Sequence, residues 1–155
     1  MSVLTALTAQ NTLGVSGIHA VPPDFIGQQL DAVLSEIGAD AVKTDMLHNP
    51  DVIEVVVDRL SAYGIKKMVV DPVMVAKGGD VLLEPEARET LVARLVPMAF
   101  VITPNIPEAE VFSKVSIRNE EDIREAARII HGMGAQHVLV KGGHLDGPAT
   151  DCLYD

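Results

Sequence analysis

Apolar residues recur along the chain with two different spacings, and the alternation between the two lays out the order of elements. Residues 2 to 9, Ser-Val-Leu-Thr-Ala-Leu-Thr-Ala, mix β-branched and apolar positions over a strand's length and stop at Gln10-Asn11, which predicts a buried strand with a polar end. Gly14 and Gly17 bracket a second short extended piece that reaches Val21. Pro22-Pro23 then suits a first helical turn, and Ile26, Leu30, Val33, Leu34 and Ile37 keep one helical face, so the spacing predicts a helix over about residues 23 to 37, capped by Gly38. Residues 41 to 44 form a short strand candidate. Asn49-Pro50 offers an N-cap and a first helical proline, and Val52, Ile53, Val56, Val57 and Leu60 continue at helical spacing as far as Gly64.

The second half repeats the rhythm. Residues 67 to 71 are a continuous apolar strand ending at Asp71, as expected when both faces of a parallel sheet are covered. Gly78-Gly79 makes the next connection flexible, residues 84 to 95 return to a helical pattern, and residues 100 to 103 form a strand stopped by Pro104. Asn119 precedes three acids and an apolar stripe through Ile123, Ala126, Ala127, Ile130 and Met133, which predicts a capped helix. Residues 137 to 141 are the last predicted strand, stopped by Gly142-Gly143. Strand and helix in alternation imply right-handed crossovers and an α/β fold with a mostly parallel central sheet between helical layers.

Composition narrows the functional classes. The 155 residues suit one domain spanning 1 to 155, and 48% hydrophobic with 22% charged residues argues for a folded chain. With no Trp, 2 Tyr and 3 Phe the core must be aliphatic, and stacking platforms for nucleic acid are scarce. A net charge of -10 opposes polyanions, while a local basic patch still leaves a nucleotide possible. Cys152 is the only cysteine, which excludes an internal disulfide and cysteine-based zinc and fits a cytoplasmic setting. The apolar stretches are too short to span a bilayer, and the first residues lack signal-peptide features, so no membrane partner is expected.

In open α/β sheets ligands collect at the carboxyl ends of strands, where loops and helix N-termini converge. Gln10-Asn11, Lys43-Thr44-Asp45, Asp71, Thr103-Pro-Asn105 and Lys141-Gly-Gly-His144 each follow a predicted strand and should meet at one rim. Asn105 and Glu108, three residues apart around a strand-to-helix turn, can face one hard cation such as Mg2+ together with Asp71. The same pair also suits a purely structural part, Asn105 capping the turn and Glu108 answering the helix dipole. Lys141 followed by two glycines can aim a point charge at phosphates or simply mark a turn. Met46, Val73 and Met74 can wall a flat heteroaromatic ring or pack as core. His19, His48, His131, His137 and His144 lack metal-ligand spacing, and no Walker loop, dinucleotide fingerprint, zincin motif or nucleophile elbow occurs.

Four segments together carry a resemblance: Ala-Leu-Thr-Ala-Gln-Asn-Thr at 6 to 12, Asp-Pro-Val-Met-Val-Ala-Lys at 71 to 77, Thr-Pro-Asn-Ile-Pro-Glu-Ala at 103 to 109 and Val-Lys-Gly-Gly-His-Leu at 140 to 145. In order and over the whole chain, they resemble the hydroxymethylpyrimidine and phosphomethylpyrimidine kinases of thiamine biosynthesis, members of the ribokinase-like superfamily. Single motifs also admit pyridoxal kinases. The resemblance implies a three-layer ribokinase-like fold and ATP- and Mg2+-dependent phosphorylation of 4-amino-5-hydroxymethyl-2-methylpyrimidine, then of its monophosphate, by a homodimer. By motif match Gln10 would bond the pyrimidine edge and Met46 and Val73 would contact its ring. Asp71, Asn105 and Glu108 would organise metal and waters, and Lys141 would contact nucleotide phosphates. The family's N-terminal strand and Gly-Gly loop, and its C-terminal Gly-Thr-Gly-Cys segment with the catalytic base, are expected outside residues 1 to 155, which leaves a catalytically incomplete remnant as the alternative. Asp45 stands where the family usually has Gly, and an added carboxylate there is expected to impair binding of a phosphorylated substrate.

Overall fold

The computed structural model describes residues 1–74, 83–143 and 150–155. Two sheets organise it. β1 (Ala6–Gln10) and β2 (Val15–Ala20) form an antiparallel hairpin of their own, while β3 (Val42–Thr44), β4 (Met68–Val70), β5 (Val101–Ile102), β6 (His137–Val140) and β7 (Cys152–Tyr154) make a five-stranded sheet in that spatial order. The first four strands of that sheet are parallel and β7 runs antiparallel to β6. The α/β class and the mostly parallel sheet are as expected.

The helices start where the sequence punctuates them. α1 (Pro23–Glu36) opens on a proline, and the chain leaves it through Gly38 at φ 72°, a left-handed conformation that costs glycine little. α2 (Pro50–Ala62) is capped by the Asn49 side chain, which accepts from the Val52 N–H. α3 (Pro85–Thr90) is shorter than the predicted 84–95 helix. The chain widens to π-type turns over Leu91–Leu95 and closes in a 3-10 turn over Val96–Met98. Pro97 lies inside that closing turn and has no N–H to continue an α ladder, which accounts for the early end. α4 (Ile106–Ser113) and α5 (Glu120–His131) follow, the latter with Asn119 accepting from the Glu121 and Asp122 N–H groups.

The buried strand expected over residues 2 to 9 is corrected. β1 starts at Ala6, pairs among the described residues only with β2 in the hairpin, and leaves Leu7 exposed. A two-stranded ribbon has too few neighbours to cover both faces, so the apolar run that suggests burial is half solvated. β7, short and preceded by Gly and Pro, has no sequence signal of its own; β6 supplies its partner. The Gly78-Gly79 connection and His144 lie outside the described residues.

Register decides which side chains face the helices. Thr44, Val70, Ile102 and Val138 occupy one transverse row of the main sheet and are all buried. Lys43, Val69, Val101 and His137 occupy the next row, pointing to the other face, and none is fully buried. α1 packs on α2, α2 on α3, and α4 on α5, so the buried row sits over a continuous aliphatic core with Ile26, Ile53, Leu60 and Ile130.

Candidate functional site

The half-open face of the sheet carries the chemistry. Side chains alternate along a strand, so Asp71 shares the face of Val69, Asn105 that of Val101, and Lys141 that of His137. The ladder persists past the strand ends: Asp71 N–H donates to the Thr44 carbonyl at 3.1 Å, Lys141 N–H donates to the Pro104 carbonyl at 2.8 Å, and Asn105 bridges to Lys141 in parallel register. Folding thereby gathers Lys43, Asp71, Asn105 and Lys141 at the carboxyl ends of β3 to β6.

Asp71 is the electrostatic centre. Its Oδ1 accepts from Lys141 Nζ at 2.9 Å and its Oδ2 lies 3.2 Å from Lys43 Nζ. The carboxylate is only 17% exposed, so these two cations compensate a largely desolvated charge. Lys43 reaches on to Asp45 Oδ2 at 3.3 Å. Desolvation pulls the Lys43 ammonium down, but its bonds and charge contacts with Asp71 and Asp45 outweigh that and leave its pKa raised.

Beside them α4 begins with a capping box: the Asn105 side chain accepts from the Glu108 N–H at 2.9 Å, and Glu108 Oε2 accepts from the Asn105 N–H at 2.8 Å. Glu108 is 6% exposed. Burial raises its pKa; the Asn105 and Met74 N–H groups and the Lys141 ammonium oppose the shift, while Asp71 adds to it. The sign of the linkage follows. The folded state holds the Glu108 proton to higher pH than the unfolded chain, so its contribution to stability is complete below the ordinary value of 4.5 and is lost as pH rises through the folded value. The Glu108→Gln variant is therefore expected to gain melting temperature relative to the unsubstituted protein on going from about pH 4 to about pH 7. Melting curves at stepped pH check this; a difference that stays flat, or moves the other way, refutes it.

The residues matched to a pyrimidine ring sit differently. Gln10 ends β1 on the exposed hairpin, where Thr8 Oγ1 lies 3.5 Å from its Oε1. Met46 is half-buried and its carbonyl accepts from Thr5 Oγ1 at 2.9 Å, which ties the N-terminal segment to the end of β3. Val73 is half-buried just after Asp71, its N–H bonded to the Asp71 carbonyl at 2.9 Å. The structure thus gathers Asp71, Asn105, Glu108 and Lys141, and puts Gln10 on a different sheet. Lys43, which sequence reasoning set on the rim without a role, belongs with them; its signal is a charged residue inside an otherwise uncharged short strand, two residues before a rim carboxylate.

A cavity of about 680 Å3 opens on the outer edge of β3, lined by Lys43, Thr44 and Asp45 together with Leu30, Leu34 and Leu47. Among the described residues no group of three or more His, Cys, Asp or Glu side chains converges to hold a metal directly. None of the helices in the described residues is long and apolar enough to cross a membrane.

Comparison with known proteins fits this geometry. The family model described as phosphomethylpyrimidine kinase matches residues 1–155. The thiamine biosynthesis bifunctional protein ThiED of Geobacter sulfurreducens is 55% identical over 99% of this chain, which spans 32% of that protein. The hydroxymethylpyrimidine/phosphomethylpyrimidine kinase of Bacillus subtilis is 48% identical over 100% of the chain, which spans 58% of it. The crystal structure of phosphomethylpyrimidine kinase from Clostridium difficile superposes with a TM-score of 0.90 at 46% identity, covering 99% of this chain and 67% of that one. Pyridoxal kinase from Staphylococcus aureus in complex with AMP-PCP superposes at 0.86 with 39% identity, covering 99% and 56%. The chain spans less than two thirds of the length of both curated relatives, and over its entire length it belongs to the phosphomethylpyrimidine kinase family.

Proposed function

We propose that this chain, as a single domain over residues 1 to 155, serves ATP-dependent phosphorylation of 4-amino-5-hydroxymethyl-2-methylpyrimidine and of its monophosphate. The observation that carries the reading is the meeting of Lys141, Asp71 and the Asn105–Glu108 box at adjacent strand ends. An ammonium beside two carboxylates suits a polyphosphate chain with its cation, and catalysis of phosphoryl transfer is mostly positioning and charge compensation. Relatives sharing 48% and 55% of residues carry names from the same chemistry.

In this reading Lys141 leaves Asp71 for the nucleotide phosphates, exchanging one anionic partner for another. Gln10 bonds the pyrimidine edge and Met46 and Val73 wall its ring, the hairpin closing over the strand ends. The donor set fits a hydrated hard cation better than a dry cage. Glu108 Oε2 is spent on the Asn105 N–H, and Asp71 Oδ2 stays with Lys43 after Lys141 leaves, so Asp71, Glu108 and the Asn105 amide would hold Mg2+ mainly through its waters. Bound there, Mg2+ would neutralise charge on the phosphate oxygens. No residue among these is assigned the base that takes the hydroxyl proton. A homodimer in the cytoplasm, with no nucleic-acid or membrane partner, completes the proposal; the net charge of -10 supports the exclusion of polyanions.

Coupled ADP-release assays on the full-length protein, offering the pyrimidine alcohol, its monophosphate and pyridoxal separately, test the reading. Turnover of both pyrimidines above pyridoxal is the expected result. Preference for pyridoxal, or nucleotide binding without any turnover, overturns it.

A further inference from the structure

We propose that Lys43 is a positioning residue of this site: it keeps the Asp71 carboxylate anchored through Oδ2 while Lys141 exchanges Oδ1 for the phosphate chain of a nucleotide. The proposal rests on the phosphoryl-transfer reading and deepens it.

The geometry divides the labour between the two lysines. β3 and β4 are neighbours, and Lys43 stands on the same face as Asp71, opposite Val69 in register and two residues back. Lys141 belongs to the strand end beyond β5, two strands from β4 and so about 9.5 Å away across the sheet. Its side chain leans over the end of β5 to reach Asp71, whereas Lys43 reaches its partner from next door. A long, leaning contact is the one a competing anion displaces at least cost to the sheet.

Continuing the β3–β4 register by one residue sets Asp45 opposite Asp71, and like charges opposed across a ladder repel. Lys43 Nζ, 3.3 Å from one carboxylate and 3.2 Å from the other, holds the pair together. Asp45, with its side chain 66% exposed, takes Lys43 as its ion-pair partner. Once Lys141 departs, Lys43 becomes the sole ammonium on the carboxylate among these contacts. Without Lys43, Asp71 would lose its other cation among the described residues as Lys141 left, so Lys141 would be held back from the phosphates.

A double-mutant cycle on ADP binding, titrated calorimetrically in the full-length protein without added metal, tests this. Lys43→Met is expected to weaken ADP about tenfold, and Lys43→Arg to restore most of the affinity. In an Asp71→Asn background, Lys43→Met is expected to cost nothing further, because the lysine acts through that carboxylate. A tenfold loss that persists with Asp71→Asn would mean that Lys43 contacts the nucleotide by charge alone, and unchanged affinity in Lys43→Met would mean a solvated surface pair; either overturns the proposal. In kinetics, Lys43→Met should raise KM for ATP and leave kcat nearly unchanged. If the unsubstituted protein binds no ADP, the phosphoryl-transfer reading fails instead.

Discussion

Replacing Lys141 by methionine is expected to lower kcat/KM for the pyrimidine alcohol by about 10²- to 10³-fold while the fold is kept, since losing one preorganised charge partner at a reacting oxygen typically costs that much. Among the described residues Lys141 is the lysine whose side chain crosses β5 to reach Asp71, and its backbone N–H independently bonds the Pro104 carbonyl. The strand-end geometry therefore survives the substitution. Asp71 retains Lys43 at 3.2 Å, so melting temperature should fall little. Methionine keeps an apolar stem of nearly the same length and removes the ammonium with its charge and N–H donors. Lys141→Arg should recover part of the rate, because guanidinium carries the charge with a different reach and fork. Steady-state kinetics paired with a melting curve decide the matter. A loss under about tenfold would move the phosphate contact to another residue, and a collapsed melting transition would make Lys141 a structural pin.

The second large effect concerns stability. Ile102 lies in the middle of the main sheet, 0% exposed, with Val70 and Val138 beside it in the same buried row. Ile102→Ala should cost about 2–5 kcal/mol, from lost transfer free energy and from a cavity that flanking strands cannot collapse to fill. At about 2–4 °C per kcal/mol for a domain of this size, melting should drop by roughly 10 °C. Ile102→Val should cost about 0.5–1.5 kcal/mol. Thermal and urea unfolding measure both. A loss below about 1 kcal/mol for the alanine variant would show that the row is loosely packed.

Much of the fold is legible in the residues because its signals are local. Pro23, Pro50, Asn49, Asn119 and Gly38 mark helix ends through their own backbone preferences and short-range bonds, and the structure places those ends within a residue or two of expectation. Continuous apolar runs at 67–71, 100–103 and 137–141 mark strands buried between neighbours. Where a decision depends on what lies across space, the signal fails. β1 reads as core but pairs among the described residues only with β2, and β7 exists because β6 offers it an edge. The 84–95 helix reads as regular, yet Pro97 further along changes how its last turns close.

The site divides along the same line. Asp71, Asn105, Glu108 and Lys141 are recognisable as residues ending strands or opening a helix, since carboxyl ends of parallel strands must share one edge. The capping box, too, follows from a spacing of three. Which face those side chains take, that Lys43 and Lys141 divide the two oxygens of Asp71, and that Asp45 is held by Lys43 depend on strand order and register. Local preferences along the chain determine the order, ends and chemistry of the elements. Only tertiary pairing decides the neighbours, because an ion pair between residues 70 positions apart has no energy until the sheet brings them together.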